Sequence, residues 1–371
     1  MPKRVLFVSK PIAPPFHDGT KCVVRDLARN LSGFEPIVMS VAGAPALEGV
    51  RMVPVYTSTG AFAPALVENA RAAAWLALGA RASLWHYVFA PNARTSAMGR
   101  WLKRLRRVPV VQTIASAPRH FVGVEQLLFG DVVVAQSEWT RSRLSSAYGE
   151  AGVPREARRR VEVIYPPLGE IHARSAEEQR RARAALEIPE QAPLFVFPGD
   201  LETGGGVQAI ARALPQILGE LPDAVVVMAY RRKTERSAAF AAELERTLGG
   251  PSLRLTTDTP DVLALIASSC AVLFPVDDLW GKVDVPIVLL ESMALGVPMV
   301  VLDQGALREV GGALRVAPGD SEALARWAIG LVRDSGLRET VVAEQKAAID
   351  ERHRAAVAAR AYERLYGELM G

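Results

Sequence analysis

The chain has 371 residues, half of them hydrophobic and 23% charged, with a formal net charge of +4. That composition is globular rather than disordered, and the length suits two domains that each bury a core. Cys22 and Cys270 lie in opposite halves and offer neither a disulfide framework nor metal-ligand spacing, so a reducing cytoplasmic setting is expected. No zinc-finger spacing and no aromatic-basic RNA-binding pattern occurs, which argues against nucleic acid. The small positive balance favours anionic partners such as phosphates or lipid headgroups.

The opening Met1-Pro2-Lys3-Arg4 runs straight into the apolar Val5-Leu6-Phe7-Val8, so no secretory leader is expected. Short β-branched runs at 5–9, 36–41, 84–89, 109–113, 132–136 and 161–165 alternate with helical stretches. The pattern resumes at 194–197, 224–230, 253–256, 271–275, 299–302 and 314–316. Strands alternating with helices build parallel, doubly wound sheets, and near-continuous apolar runs suit strands covered on both faces. The most apolar stretch, 72–84, is interrupted by Arg81 and is too short to cross a bilayer. Pro166-Pro167-Leu168-Gly169 is a loop signal, and the Arg-rich 174–190 after it reads as an exposed helix with solvated charges. The expectation is two Rossmann-like domains, 1–168 and 190–354. A final helix over 355–371, with Ala358, Tyr362, Leu365 and Leu369 on one face, packs back on the first.

In open α/β sheets, ligands bind outside the carboxyl ends of the strands. Pro14-Pro15-Phe16-His17-Asp18-Gly19-Thr20 follows the opening strand there. Gly19 admits close backbone approach and the helix start favours an anion or a polar sugar, while Asp18 could equally cap that helix. Gly199-Asp200-Leu201-Glu202-Thr203-Gly204-Gly205-Gly206 precedes another helix. Gly205 and Gly206 would let a phosphate reach bare amides, although no Gly-Lys-Ser/Thr follows. Arg231, Arg232 and Lys233 follow the run at 224–230, where arginine forks can hold a phosphate. Residues 274–298 read as strand, loop, helix and strand. Pro286 suits a first helical turn, the amides of Ile287 and Val288 would face an anion, and Glu291 can accept hydrogen bonds from a ribose diol. A buried helix with Glu291 turned to solvent has the same pattern.

Leu290-Glu291-Ser292-Met293-Ala294-Leu295-Gly296-Val297-Pro298 closely resembles the end of the hallmark motif of glycosyltransferase family 4 (glycosyl transferases group 1), retaining enzymes of the GT-B fold. The resemblance extends to the Pro14-Pro15…Gly19 loop, to Ala135-Gln136-Ser137-Glu138-Trp139-Thr140 and to the terminal helix, nearly the whole chain. It implies two doubly wound domains facing a central cleft, Glu291 on the nucleotide ribose, and the Ile287 and Val288 amides at the phosphate or donor sugar. Val283 stands where the family has the first acid of a paired-Glu motif, and Asp284 is one place later. Asp200 and Gly205 stand where the family has its diphosphate-binding Arg and Lys, and Ala115 lies near the place of a family His. Arg231, Arg232 and Lys282 are therefore the candidate cations, and His17, Asp18 and Asp284 the candidate catalytic groups.

The implied reaction moves a sugar from a nucleoside-diphosphate sugar, such as a UDP-sugar, to an acceptor hydroxyl with retention of configuration. The acceptor would be a cell-envelope glycan, a glycolipid or a natural product. A diphosphate leaving group and an oxocarbenium-like sugar demand preorganised charge. No Asp-x-Asp occurs, so no metal or other cofactor is expected. The acceptor is expected on the first half, near His17, Asn92 and Arg94. Trp101-Leu102-Lys103-Arg104-Leu105-Arg106-Arg107 reads either as a solvated helix face or as a peripheral contact with an anionic membrane. Two rival readings remain: a nucleotide-sugar epimerase on the same fold, which needs acid/base groups on both sugar faces, and a non-catalytic nucleotide-sugar-binding subunit.

Overall fold

The computed structural model describes residues 3–59, 63–201, 203–231, 235–257, 259 and 261–371. Two units emerge: Met1–Gly169 with Trp280–Ile287 and Glu351–Gly371, and Glu170–Leu279 with Val288–Asp350.

In the first unit the order is β1 (Arg4–Val8), α1 (Gly19–Asn30), β2 (Glu35–Val41), β3 (Arg51–Tyr56), α2 (Leu66–Leu78), β4 (Leu84–Phe89), α3 (Ala93–Arg106), β5 (Val110–Ile114), α4 (Val124–Leu127), β6 (Val132–Ala135), α5 (Glu138–Glu150) and β7 (Arg160–Val163). All seven strands are parallel, in the order β3-β2-β1-β4-β5-β6-β7. The central strands are buried along nearly their whole length, because helices cover both faces of the sheet. The sequence reading missed β3. Its Pro54 lacks a donor and its first residues are exposed, features that a strand tolerates only at a sheet edge, where β3 sits.

The second unit contains α6 (Ala176–Ala184), β8 (Leu194–Pro198), α7 (Gly206–Glu220), β9 (Val225–Ala229), α8 (Arg236–Leu248), β10 (Leu253–Thr256), α9 (Val262–Ala267) and β11 (Ala271–Phe274). It continues with α10 (Ile287–Ala294), β12 (Met299–Leu302), β13 (Leu314–Val316), α11 (Ser321–Arg333) and α12 (Ser335–Ala348). Its six parallel strands run β10-β9-β8-β11-β12-β13. The doubly wound α/β expectation holds in both units. The expected Arg-rich helix is α6, started by a capping box between Ser175 and Glu178. Its charges are not all solvated: Arg183 is buried and donates to the carbonyls of Pro189, Ala192 and Ser268, three acceptors that offset its desolvation.

The chain ends in α13 (Ala355–Met370), which belongs to the first unit and packs on α1. Its buried stripe holds Ala358, Tyr362, Leu365 and Tyr366. Two of these reach polar groups in the sheet. The Tyr366 hydroxyl lies 2.7 Å from His86 Nδ1, His86 Nε2 lies 2.7 Å from Thr113 Oγ1, and Thr113 Oγ1 lies 2.9 Å from the Tyr362 hydroxyl. A neutral imidazole offers one donor and one acceptor, which these two contacts use. The return of the chain is pinned by Leu168 N donating to His353 O (2.7 Å) and Ala355 N donating to Leu168 O (3.0 Å). His353 Nδ1 donates to Pro166 O at 3.0 Å.

Burial pushes His86 down to about 3 and His353 down to about 4, the Pro166 carbonyl opposing the latter. Both stay neutral in the fold, whereas unfolded histidine protonates near 6.5. Their contribution to stability is complete above about pH 6.5 and drains as pH falls toward 3, by ~1.4 kcal/mol for each unit of depression. Chemical denaturation at pH 7 and pH 5 should show this loss, and His86→Gln should flatten the pH dependence while lowering stability at pH 7. An unchanged slope in the variant would remove His86 from the account.

Candidate functional site

Strand order reverses between β1 and β4 in the first unit and between β8 and β11 in the second, and each reversal opens a crevice at the carboxyl edge. In the second unit the β8 loop is built from glycines for steric reasons. Gly204 and Gly205 adopt φ of +78° and +62°. A Cβ on Gly204 would meet Val276 Cγ1 at 2.6 Å, one on Gly205 would meet Asp277 Oδ2 at 2.9 Å, and one on Gly206 would meet the Phe197 ring at 2.8 Å. Asp277 N donates to Gly204 O at 2.9 Å, which latches the β8 loop to the β11 loop. Below them Phe197 and Phe274 stack, 6.1 Å between centroids. Gly205 is the N-cap of α7 and has no side chain to satisfy the first-turn amides, which leaves a bare helix start of fifteen residues. Facing that advantage is the exposed Asp277 carboxylate beside Gly205.

Arg231 follows β9 and is exposed. Arg232, Lys233 and Glu202 lie outside the described residues. Glu291 is half-buried on α10, one turn from its start. Leu289, Leu290 and Met293 are its buried neighbours, and Ser292 Oγ donates to Val288 O (2.7 Å). Val288 is half-buried and belongs with Glu291 to the second unit, while Ile287 is buried and belongs to the first.

In the first unit, Asp18 is the N-cap of α1. Its Oδ1 accepts from Thr20 N (2.9 Å) and Lys21 N (3.2 Å), and its Oδ2 pairs with Lys10 Nζ (2.8 Å). Lys21 is buried with Nζ 3.3 Å from Ala13 O, and burial lowers its pKa against the opposing pull of Asp18. The sequence reading missed Lys10 and Lys21, because their role depends on how the β1 loop folds back on α1. His17 is exposed. At Gly19 a Cβ would meet both Val283 methyls at 3.2 Å and Ile287 Cγ1 at 3.6 Å, so apolar side chains cover that backbone. Asp284 is buried and accepts a 2.6 Å hydrogen bond from Ser137 Oγ. Ser137 also caps α5, its Oγ accepting from Thr140 N at 3.0 Å. Lys282 is half-buried. Asn92 caps α3 by accepting from Thr95 N at 3.0 Å.

The same edge carries aromatic rings with cations over them. The Arg119 guanidinium sits 5.0 Å from the Trp280 ring centre and Arg143 sits 5.3 Å from that of Phe121, which meets Trp139 edge-on. Gly281 N donates to Ser116 Oγ (3.1 Å), which ties the Trp280 loop to the end of β5. A guanidinium stacked on a ring keeps its in-plane N–H donors open to an anion.

Residues 192–334, which include the glycine loop, Arg231 and α10, match the family model described as Glycosyl transferases group 1. No curated protein matches the chain by sequence. Among solved structures, the chain is similar to HepE of Anabaena in complex with UDP-glucose, with 16% identity over 98% of this chain and 99% of that one and a TM-score of 0.73. It is also similar to sucrose-phosphate synthase of Thermosynechococcus elongatus, with 16% identity, 99% of both chains and a TM-score of 0.75. A third is a glycosyltransferase of Rickettsia africae, with 15% identity, 100% of this chain, 99% of that one and a TM-score of 0.74. The fold is of the GT-B type, and the resemblance read from residues 290–298 falls within the matched family segment.

Gly204→Ala should cost ~2 kcal/mol or more, from the left-handed backbone and the Val276 clash together. Urea unfolding of the purified variant checks it, and a loss below the error of the measurement would show that the loop relaxes without effort.

Proposed function

We propose that the chain is a glycosyltransferase that moves a sugar from a nucleoside-diphosphate sugar to an acceptor hydroxyl. The observation that carries this reading is the group 1 family match across the segment that holds Glu291 and the glycine loop. A UDP-sugar is the proposed donor, since the Anabaena structure similar in fold holds UDP-glucose.

Each part of the reaction has a candidate group. Glu291 accepts hydrogen bonds from the ribose hydroxyls. Within the second unit, the uncapped start of α7, the Val288 amide at the start of α10 and the Arg231 cation receive the diphosphate and stabilise it as it leaves. Retention is the proposed outcome, in keeping with the family resemblance, through an oxocarbenium-like sugar whose charge a carboxylate can stabilise. Asp284 is the proposed group, and the Ser137 hydroxyl fixes its orientation. His17 and Asp18 are the remaining catalytic candidates. Asp18 is bonded to Lys10 and the start of α1, and His17 is the exposed one of the two. No metal is invoked, because amides and cations supply the positive charge. The cation-aromatic edge at Arg119, Trp280 and Phe121 suits an acceptor, with rings for sugar faces and guanidinium groups for any anionic substituent. Cell-envelope glycans, glycolipids and natural products all remain within this acceptor class.

The Asp277 carboxylate beside the glycine loop favours one other reading, a subunit that binds a nucleotide sugar without turning it over. Incubation with UDP-, GDP- and dTDP-sugars separates the readings: acceptor-dependent product supports transfer, and saturable binding without product supports the subunit. Glu291→Ala should weaken UDP binding ~10-fold to 100-fold, as expected for loss of charged hydrogen bonds. Arg231→Ala should weaken UDP more than uridine. Calorimetry reads both, and equal losses for UDP and uridine in the arginine variant would contradict a phosphate role.

A further inference from the structure

The outer layer of the first unit formed by α2 and α3 carries an uncovered apolar surface. On α2, Leu66, Val67 and Leu78 are 83%, 76% and 86% exposed, and on α3 about half of Met98, Trp101 and Leu105 is exposed. Positions 94, 98, 101 and 105 recur at helical spacing opposite the buried Ser96, Gly99 and Leu102, which puts Trp101 near the middle of the outward face. The two helices are neighbours: α2 packs on α3, and Arg106 of α3 donates to the carbonyls of Ala77 in the last turn of α2 and of Ala80 just after it. Exposed apolar side chains gathered in this way mark a contact surface rather than scattered surface residues.

Charge identifies the partner. Helix α3 has no acidic residue. Three of its cations are engaged, Arg100 with the Gln126 carbonyl, Lys103 with Asp131 and Arg106 as above. Arg94, Arg104 and, just after the helix, Arg107 are exposed, with no ion-pair partner among the described residues. The single acid of α2, Glu68, is bonded to Thr57. The face therefore combines exposed aliphatic groups, one central tryptophan and unneutralised arginines. That is the chemistry of a helix pair lying at a bilayer interface, where tryptophan settles at headgroup depth and arginine meets lipid phosphates. A protein partner would need a surface at once apolar and acidic.

We propose that the α2–α3 face docks this chain on an anionic phospholipid surface. The attachment is peripheral, since no helix among the described residues is long and apolar enough to cross a membrane. The contact does not depend on the proposed donor chemistry, because none of the candidate donor residues lies on these helices.

The full chain, sedimented with phosphatidylcholine vesicles that contain or lack phosphatidylglycerol, tests the idea. Binding is expected only with phosphatidylglycerol present and should vanish near 1 M salt, where the Debye length is about 3 Å. Trp101→Ser combined with Leu105→Ser should lower the partition coefficient at least about tenfold. Arg104→Gln combined with Arg107→Asn should do the same by removing two lipid-facing charges, each worth about a fivefold change. Asparagine is chosen at 107 because that residue has φ of 50°. Melting temperature and UDP affinity should stay at wild-type values in both variants, which separates this contact from the donor site. Absence of vesicle binding by the wild type, equal binding by wild type and both variants, or a dimer in light scattering that the Trp101→Ser/Leu105→Ser pair dissociates would each overturn the proposal.

Discussion

Parallel strand pairing is the constraint on which the rest of this molecule depends. Each strand in both sheets runs parallel to its neighbours, so the chain must cross a sheet face before it can add the next one. Every strand-to-helix loop therefore emerges at one edge of its sheet. Asp18, Ser116 and Ser137 follow β1, β5 and β6 in the first unit, and Gly204, Arg231 and Asp277 follow β8, β9 and β11 in the second. Strands buried on both faces leave little room for polar chemistry inside, which concentrates it in those loops. Of the polar side chains buried inside the first sheet, His86 and Thr113 meet tyrosine hydroxyls from α13, whereas Ser40 and Gln112 bond to backbone groups of neighbouring segments.

The loops differ in how their carboxylates are used. Asp18 is committed to the start of α1 and to Lys10, a local arrangement that orders the β1 loop. Asp284 is buried beside Ser137, a single hydroxyl that accepts from the α5 backbone and donates to the carboxylate. Rotation of that hydroxyl is thus restricted by both contacts, and Asp284 is held in one orientation. In the second unit the glycines do steric work first. Their missing Cβ atoms let the β8 loop lie against Val276 and Asp277, and the same absence leaves the α7 amides uncapped. An anion reaching those amides would meet the field of the exposed Asp277 carboxylate.

Several features were legible because they are local. The apolar runs of β4, β5 and β8, the glycines before α7 and the stripe of Tyr362 and Leu365 on α13 each declare themselves through spacing within a few residues. The edge strand β3 did not, since Pro54 and a half-exposed pattern read as loop until the sheet supplies a partner on one side only. Arg183 misled for the opposite reason: Arg180 and Arg181 just before it are exposed, but the carbonyls that surround it come from residues up to 85 positions away.

The sequence by itself determined the alternation of strand and helix, the two doubly wound sheets and the motif that resembles group 1 glycosyltransferases, because hydrophobic period and glycine placement act over one or two turns of chain. Only the tertiary structure decided that Ser137 meets Asp284 across 147 positions, that Tyr366 meets His86 across 280, and that Trp101 is left on the outside of α3. Such pairings are set by the order in which parallel strands stack and by which helix face the sheet buries, and neither is encoded in local spacing.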